Sequence, residues 1–154
     1  MESVTPKLMI IGLDGADWAV LKPFIERGSL PVLAELIDRG THAVMESTIP
    51  PVTPCAWTTL FTGVNPGKHG VYDFVDYFCG QEQLRITNGG HRKCPTFFQL
   101  SNRSGFSAGV LNAPWTYPPD DLDGFAVAGM DVPEFGPKMA SPREVYDEIV
   151  DEVG

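Results

Sequence analysis

The sequence predicts an α/β fold, a mostly parallel sheet flanked by helices, and three observations carry that prediction. Residues 7–12 (KLMIIG) form a nearly continuous apolar run, the pattern of a strand buried on both faces of a parallel sheet. Strand-like runs then alternate with helix-like segments along the chain, as layered α/β domains require. Prolines and glycines fall where those helices should begin and end. At 154 residues the chain suits one domain, long enough for a real core. Its 43% hydrophobic and 20% charged content is that of a folded chain rather than a disordered one.

The first strand ends in Gly12-Leu13-Asp14-Gly15-Ala16-Asp17, a turn with two glycines and two carboxylates. The G-x-G-x-x-G spacing of a dinucleotide site is absent, and a carboxylate at Asp14 would repel a pyrophosphate. An acid at the carboxyl end of a first parallel strand suits a metal cation. The alternative is an Asx-turn or helix cap, which fits Asp17 better than Asp14. Residues 18–27 and 31–39 read as two helices joined at Gly28-Ser29. The second has Pro31 at its start, Leu33, Leu36 and Ile37 on one face, and Gly40 past its end. Residues 41–48 read as a strand.

That strand leads into residues 50–74, PPVTPCAWTTLFTGVNPGKHGVYDF. Pro51 and Pro54 push the residues before them to an extended backbone. Pro54 also suits the first turn of a helix, which would carry Ala56, Trp57, Leu60 and Phe61 on one face and stop at Gly63. Thr53 then sits at a helix N-terminus, where backbone N–H groups and the dipole favour an anion. The segment alone admits two readings of Thr53: a plain N-cap, or a hydroxyl presented at an anion site. Cys55 has no neighbour that would depress its pKa and reads as a small packed residue. His69, in the turn Lys68-His69-Gly70, reads as a structural hydrogen-bonding group rather than a ligand. His42, in the 41–48 strand, and His91, in a polar loop, carry no chemistry by position.

Further on, residues 72–78 form a strand or ordered loop, and 81–94 a loop or hairpin with Gly89-Gly90. Residues 95–102 make a short helix with Phe97, Phe98 and Leu100 for packing. Residues 106–112 (FSAGVLN) and 125–130 (FAVAGM) are two more buried strands. Ser141-Pro142-Arg143-Glu144 has capping-box spacing with Pro at N1 and opens a helix through Val145, Ile149 and Val153.

Net charge is −9, and ten of the twenty acids fall in residues 120–154 against only Lys138 and Arg143. No basic stripe is present, which argues against nucleic acid as a partner. No apolar run approaches the roughly 20 residues of a membrane span, so no membrane is expected. The opening MESVTPKLMIIGLDG has too short an apolar run for a signal peptide. Three widely spaced cysteines (Cys55, Cys79, Cys94) without C-x-x-C favour a reduced, cytoplasmic protein.

Two stretches, IIGLDGADW and PPVTPCAWTTLFTGVNPGKHGVYDF, resemble the type I phosphodiesterase/nucleotide pyrophosphatase branch of the alkaline phosphatase superfamily. VLNAPWTYPPDDLDGFAVAGM is similar to the same branch, so the likeness covers nearly the whole chain. The specific part is the spacing Thr53…Thr62-Gly63…His69-Gly70. The resemblance implies an alkaline-phosphatase-like core, of which residues 1–154 are the N-terminal portion. It implies hydrolysis of a small-molecule phosphoester at a site with two divalent ions, zinc by resemblance and manganese as the other choice. The nucleophile falls on Thr53 and the first-strand metal ligand on Asp14, with Thr53 also touching metal. Binding a divalent ion would lower the pKa of an otherwise poor hydroxyl nucleophile.

The pattern disfavours the related sulfatases and departs from the family in two places. Related sulfatases carry cysteine or serine at the Thr53 position and an arginine four residues on, where this chain has Thr53 and Trp57. The phosphate-contacting asparagine of nucleotide pyrophosphatases has Phe74 as its counterpart. The remaining metal ligands of the family are an Asp-x-x-x-His group, an Asp-His pair and a further histidine. His42, His69 and His91 fit none of these arrangements. The chain alone is therefore expected to have little activity, its site being completed by a missing C-terminal part or by self-association. The alternative from another class is a non-catalytic domain that binds phosphate or a partner protein.

Overall fold

A computed structural model of the chain describes residues 8–77 and 84–153. Lys7, Phe78, Cys79 and residues 81–83, which figure in the expectations above, lie outside them. The chain divides into two units, Met1–Glu46 and Ser47–Gly154.

In the first unit, helix α1 spans Trp18–Glu26 and helix α2 spans Pro31–Arg39. Asp17 is the cap of α1, its Oδ1 accepting the Ala19 N–H at 2.7 Å. Pro31 opens α2 and Gly40 follows it, as the punctuation predicts. The two expected strands are not strands. Residues 8–12 and 41–46 join no ladder, and Leu8, Ile11, Val44 and Met45 stand largely exposed. An apolar run becomes a buried strand only when neighbours take its backbone N–H and C=O groups and cover both faces. No such neighbour pairs with these residues among those described.

The second unit begins with helix α3, Thr53–Thr62, closed by Gly63 in the left-handed region at φ 66°. It buries Pro54, Cys55, Thr58 and Phe61, whereas Leu60 is 47% exposed. Of the predicted face, Phe61 is buried and Trp57 packs on the core, whereas Leu60 faces out and Cys55 and Thr58 are buried in its place. Helix α4, Pro66–His69, follows directly. Strands β1 (Val75–Tyr77) and β2 (Leu84–Ile86) pair antiparallel as a hairpin, with Asp76 opposite Arg85. Helix α5, Phe97–Arg103, is opened by a capping box in which Thr96 Oγ1 accepts the Gln99 N–H at 3.3 Å and Gln99 Oε1 accepts the Thr96 N–H at 3.0 Å.

Strands β3 (Ala108–Ala113) and β4 (Gly124–Ala128) run parallel, and β5 (Ala140–Ser141) adds antiparallel to β4. The sheets are therefore small and mixed rather than mostly parallel: one of three pairings among the described residues is parallel. Central β4 buries Ala126, Val127 and Ala128 in succession, as a strand covered on both faces should. Edge strand β3 buries only Val110, so its apolar run overstated its burial. Helix α6, Arg143–Val153, begins one residue beyond Pro142. Ser141, expected in a capping box, is instead paired with Ala126 in β5.

The core gathers Phe61 of α3, Phe98 of α5, Val110, Leu122 and Ala126, with Trp57 and Phe97 packed against it. Phe61 and Phe98 ring centroids lie 5.0 Å apart, so α3 is held to α5 by aromatic contact. Thr58, 1% exposed, has no hydrogen-bond partner for Oγ1 among the described residues. A buried hydroxyl without a partner destabilises by about 1–3 kcal/mol. Thr58→Val keeps the shape, and its urea midpoint should report a gain of about 1 kcal/mol.

Two loops are knotted through Asp131. Its Oδ2 accepts the N–H groups of Gly89 at 3.0 Å and Tyr117 at 2.9 Å, and Oδ1 accepts that of Thr116 at 3.2 Å. Gly89 sits so close that a Cβ would lie 2.5 Å from the Trp115 carbonyl oxygen and 2.9 Å from that of Tyr117. Backbone cannot yield as a flexible side chain can. Gly89→Ala should therefore cost about 2–3 kcal/mol by urea unfolding, and a loss below about 0.5 would mean the knot relaxes freely.

Candidate functional site

The local sequence explains how Thr53 is presented. Val52 is extended (φ −109°, ψ 149°) and occupies the N-cap position, without a side-chain cap. Ala56 N–H donates to Val52 O at 2.9 Å, closing the first helical bond. Thr53 is therefore the first helical residue and not the cap, and Pro54 is the second. The helical ladder does not use the Thr53 and Cys55 amides, and Pro54 has none to offer. A half-buried hydroxyl thus stands at the positive end of a ten-residue helix.

Asp14 lies in the exposed turn before α1. It belongs to the first unit and Thr53 to the second. Asp17, not Asp14, serves as the helix cap. Among the described residues, no group of three or more His, Cys, Asp or Glu side chains is placed to hold a metal ion.

The histidines are separated and differently employed. His69 is fully buried, with Nε2 2.8 Å from Thr59 Oγ1 and Nδ1 accepting the Val71 N–H at 3.1 Å. Burial lowers its pKa from the ordinary imidazole value. Its structural role is as the sequence suggests. His42 is exposed, its ring centroid 5.9 Å from that of Trp18. His91 Nδ1 accepts the Asn88 N–H at 2.9 Å and completes a small capping box at the short 3-10 turn Gly89–His91. Cys55 is wholly buried, a packed residue as expected. Phe74 packs edge-on against Trp115, with centroids 5.0 Å apart at 85°. Its ring braces the β1 hairpin against the 115–117 turn.

Sequence reasoning passed over a polar hub beside α5. Arg92 Nη2 pairs with Asp120 Oδ1, and Asp120 also accepts from Gln99 Nε2 at 2.9 Å and Thr96 Oγ1 at 3.4 Å. The T-x-x-Q spacing of Thr96 and Gln99 was a readable signal for part of it. No helix among the described residues is long and apolar enough to cross a membrane.

The family model described as type I phosphodiesterase / nucleotide pyrophosphatase matches residues 8–152. No solved structure matches the chain.

Proposed function

The chain belongs to the type I phosphodiesterase/nucleotide pyrophosphatase family, and from that premise we propose that it contributes the nucleophile to phosphoester hydrolysis. The observation that carries the proposal is Thr53: a half-buried hydroxyl at the first position of α3, in a helix whose cap is Val52. The Thr53 hydroxyl would release its proton to water as Oγ bonds to phosphorus and the bond from phosphorus to the leaving oxygen breaks, the leaving oxygen taking a proton from water. Water would then cleave the phosphothreonine, and the helix N-terminus would stabilise charge on the phosphoryl oxygens.

The family's metal dependence is carried into this reading with Asp14 and Thr53 as oxygen donors, for zinc or manganese. Such an ion, when bound, makes a hydroxyl more acidic. Two donors do not make a metal site, which needs about four, and the described residues supply no cluster of three.

The experiment is hydrolysis of a bis-aryl phosphate by the chain with zinc or manganese, with and without chelator, beside Thr53→Ala. Little turnover is expected from the chain alone. Any turnover should vanish with Thr53→Ala and with chelator. Turnover indifferent to Thr53→Ala overturns the nucleophile. Phosphate affinity that survives chelator, with no turnover, favours a binding domain instead.

A further inference from the structure

A second group that ties α3 to its surroundings, beside Phe61, is the buried imidazole of His69, and its protonation state can be read from its partners. The Val71 amide can only donate, so Nδ1, 3.1 Å away, is unprotonated. The ring proton then lies on Nε2 and is donated to Thr59 Oγ1 at 2.8 Å. The backbone of the same residue is also engaged, because Lys93 N–H donates to His69 O at 2.9 Å. One side chain thus joins α3, through Thr59, to the end of α4 and to Val71, which is itself fully buried. Gly70, at φ 78°, makes the reversal that lets Val71 reach back to the ring.

We propose that His69 is a positioning residue for Thr53: as a neutral imidazole it pins α3, and its protonation releases the helix that presents the hydroxyl. The proposal rests on the reading of Thr53 as nucleophile, six residues upstream of Thr59 on the same helix. A proton on Nδ1 would face the Val71 N–H donor to donor, and the buried amide would lose its acceptor. Helix α3 carries no acid and only Cys55 among ionisable groups, α4 carries Lys68, the segment of Val71 carries Tyr72 and Asp73, and the segment of Lys93 carries Arg92 and Cys94. Burial disfavours a charged ring.

The sign follows. The folded chain holds His69 below its ordinary value of about 6.5, so below that value the released state binds the extra proton. The pin is at full strength above about pH 6.5 and weakens as pH falls toward the folded value, by up to about tenfold per pH unit.

The test is NMR on the full chain, with no substrate. The imidazole nitrogens of His69 should report the Nε2–H tautomer at pH 7. Between pH 7 and 5, the Thr53 amide resonance and the exchange protection of α3 should change together with the His69 titration, while protection of α5 does not follow it. His69→Gln keeps a donor in reach of Thr59 but does not titrate, so the acid-linked change at Thr53 should disappear. His69→Asn keeps an acceptor near Nδ1 for Val71 and should likewise remove the titration. An Nδ1–H tautomer overturns the proposal, as does a Thr53 resonance that ignores the His69 titration or titrates equally in both variants. If neither variant folds, the wild-type tautomer and titration still decide. Failure here leaves the nucleophile reading standing, because that reading falls only by the Thr53→Ala hydrolysis result.

Discussion

Arg92→Ala is expected to destabilise the second unit by about 3–5 kcal/mol, the cost of leaving one member of a buried ion pair alone. The Arg92 and Asp120 side chains are only 10% and 12% exposed. Asp120 keeps two other donors, Gln99 Nε2 and Thr96 Oγ1, which places the expected loss in the lower half of that range. Arg92 Nη1 also donates to Gly89 O at 3.1 Å, so the same substitution loosens the short turn beside the Asp131 knot. Urea unfolding measures the loss, and Arg39→Ala is the control. The Arg39–Glu35 pair is 76% and 62% exposed and should contribute no more than about 0.5 kcal/mol. A double variant, Arg92→Ala with Asp120→Ala, should recover part of the single loss, because no charge is then stranded. Equal losses for Arg92→Ala and Arg39→Ala would mean that water reaches the pair. The consequence extends to the site. Asp120 holds the start of α5, α5 carries Phe98, and Phe98 packs on Phe61 of the helix that begins with Thr53.

What could be read from the sequence was local. Helices α1, α2 and α3 were legible from their proline and glycine punctuation, and α3 places Thr53 within one residue of its expected position. The 8–12 and 41–46 segments were misread because burial of an apolar run is decided by partners that its own residues do not name. The face of α3 was legible in part. Helical spacing placed Trp57 and Phe61 at the core, where both pack, but it also allowed Leu60, which is exposed, and did not name Cys55 and Thr58, which are buried. Of the candidate site, the type and place of Thr53 were visible in the Pro-Val-Thr-Pro setting. The Arg92–Asp120 pair and the Asp131 contact to Gly89 join residues 28 and 42 positions apart. Neither leaves a local pattern. Asp131 was simply one acid among ten in an acidic segment.

Thr53→Val should separate the two meanings a threonine can have at a helix start. Valine keeps the branched shape and removes only the hydroxyl. If Thr53 is the nucleophile, any phosphoester turnover of which the chain is capable should fall by on the order of 10⁴-fold or more, as when a covalent nucleophile is deleted. Thr53→Ser, which keeps the hydroxyl, should retain measurable turnover. Stability should respond in the opposite proportion. A capping threonine contributes about 1 kcal/mol, but Val52 holds the cap position and Thr53 is only half-buried. Thr53→Val should therefore shift the urea midpoint by no more than about 0.5 kcal/mol. The two readouts move independently, which is what makes the pair decisive. A valine chain that unfolds about 1 kcal/mol more easily while hydrolysing at the wild-type rate would return Thr53 to a structural role at the head of α3.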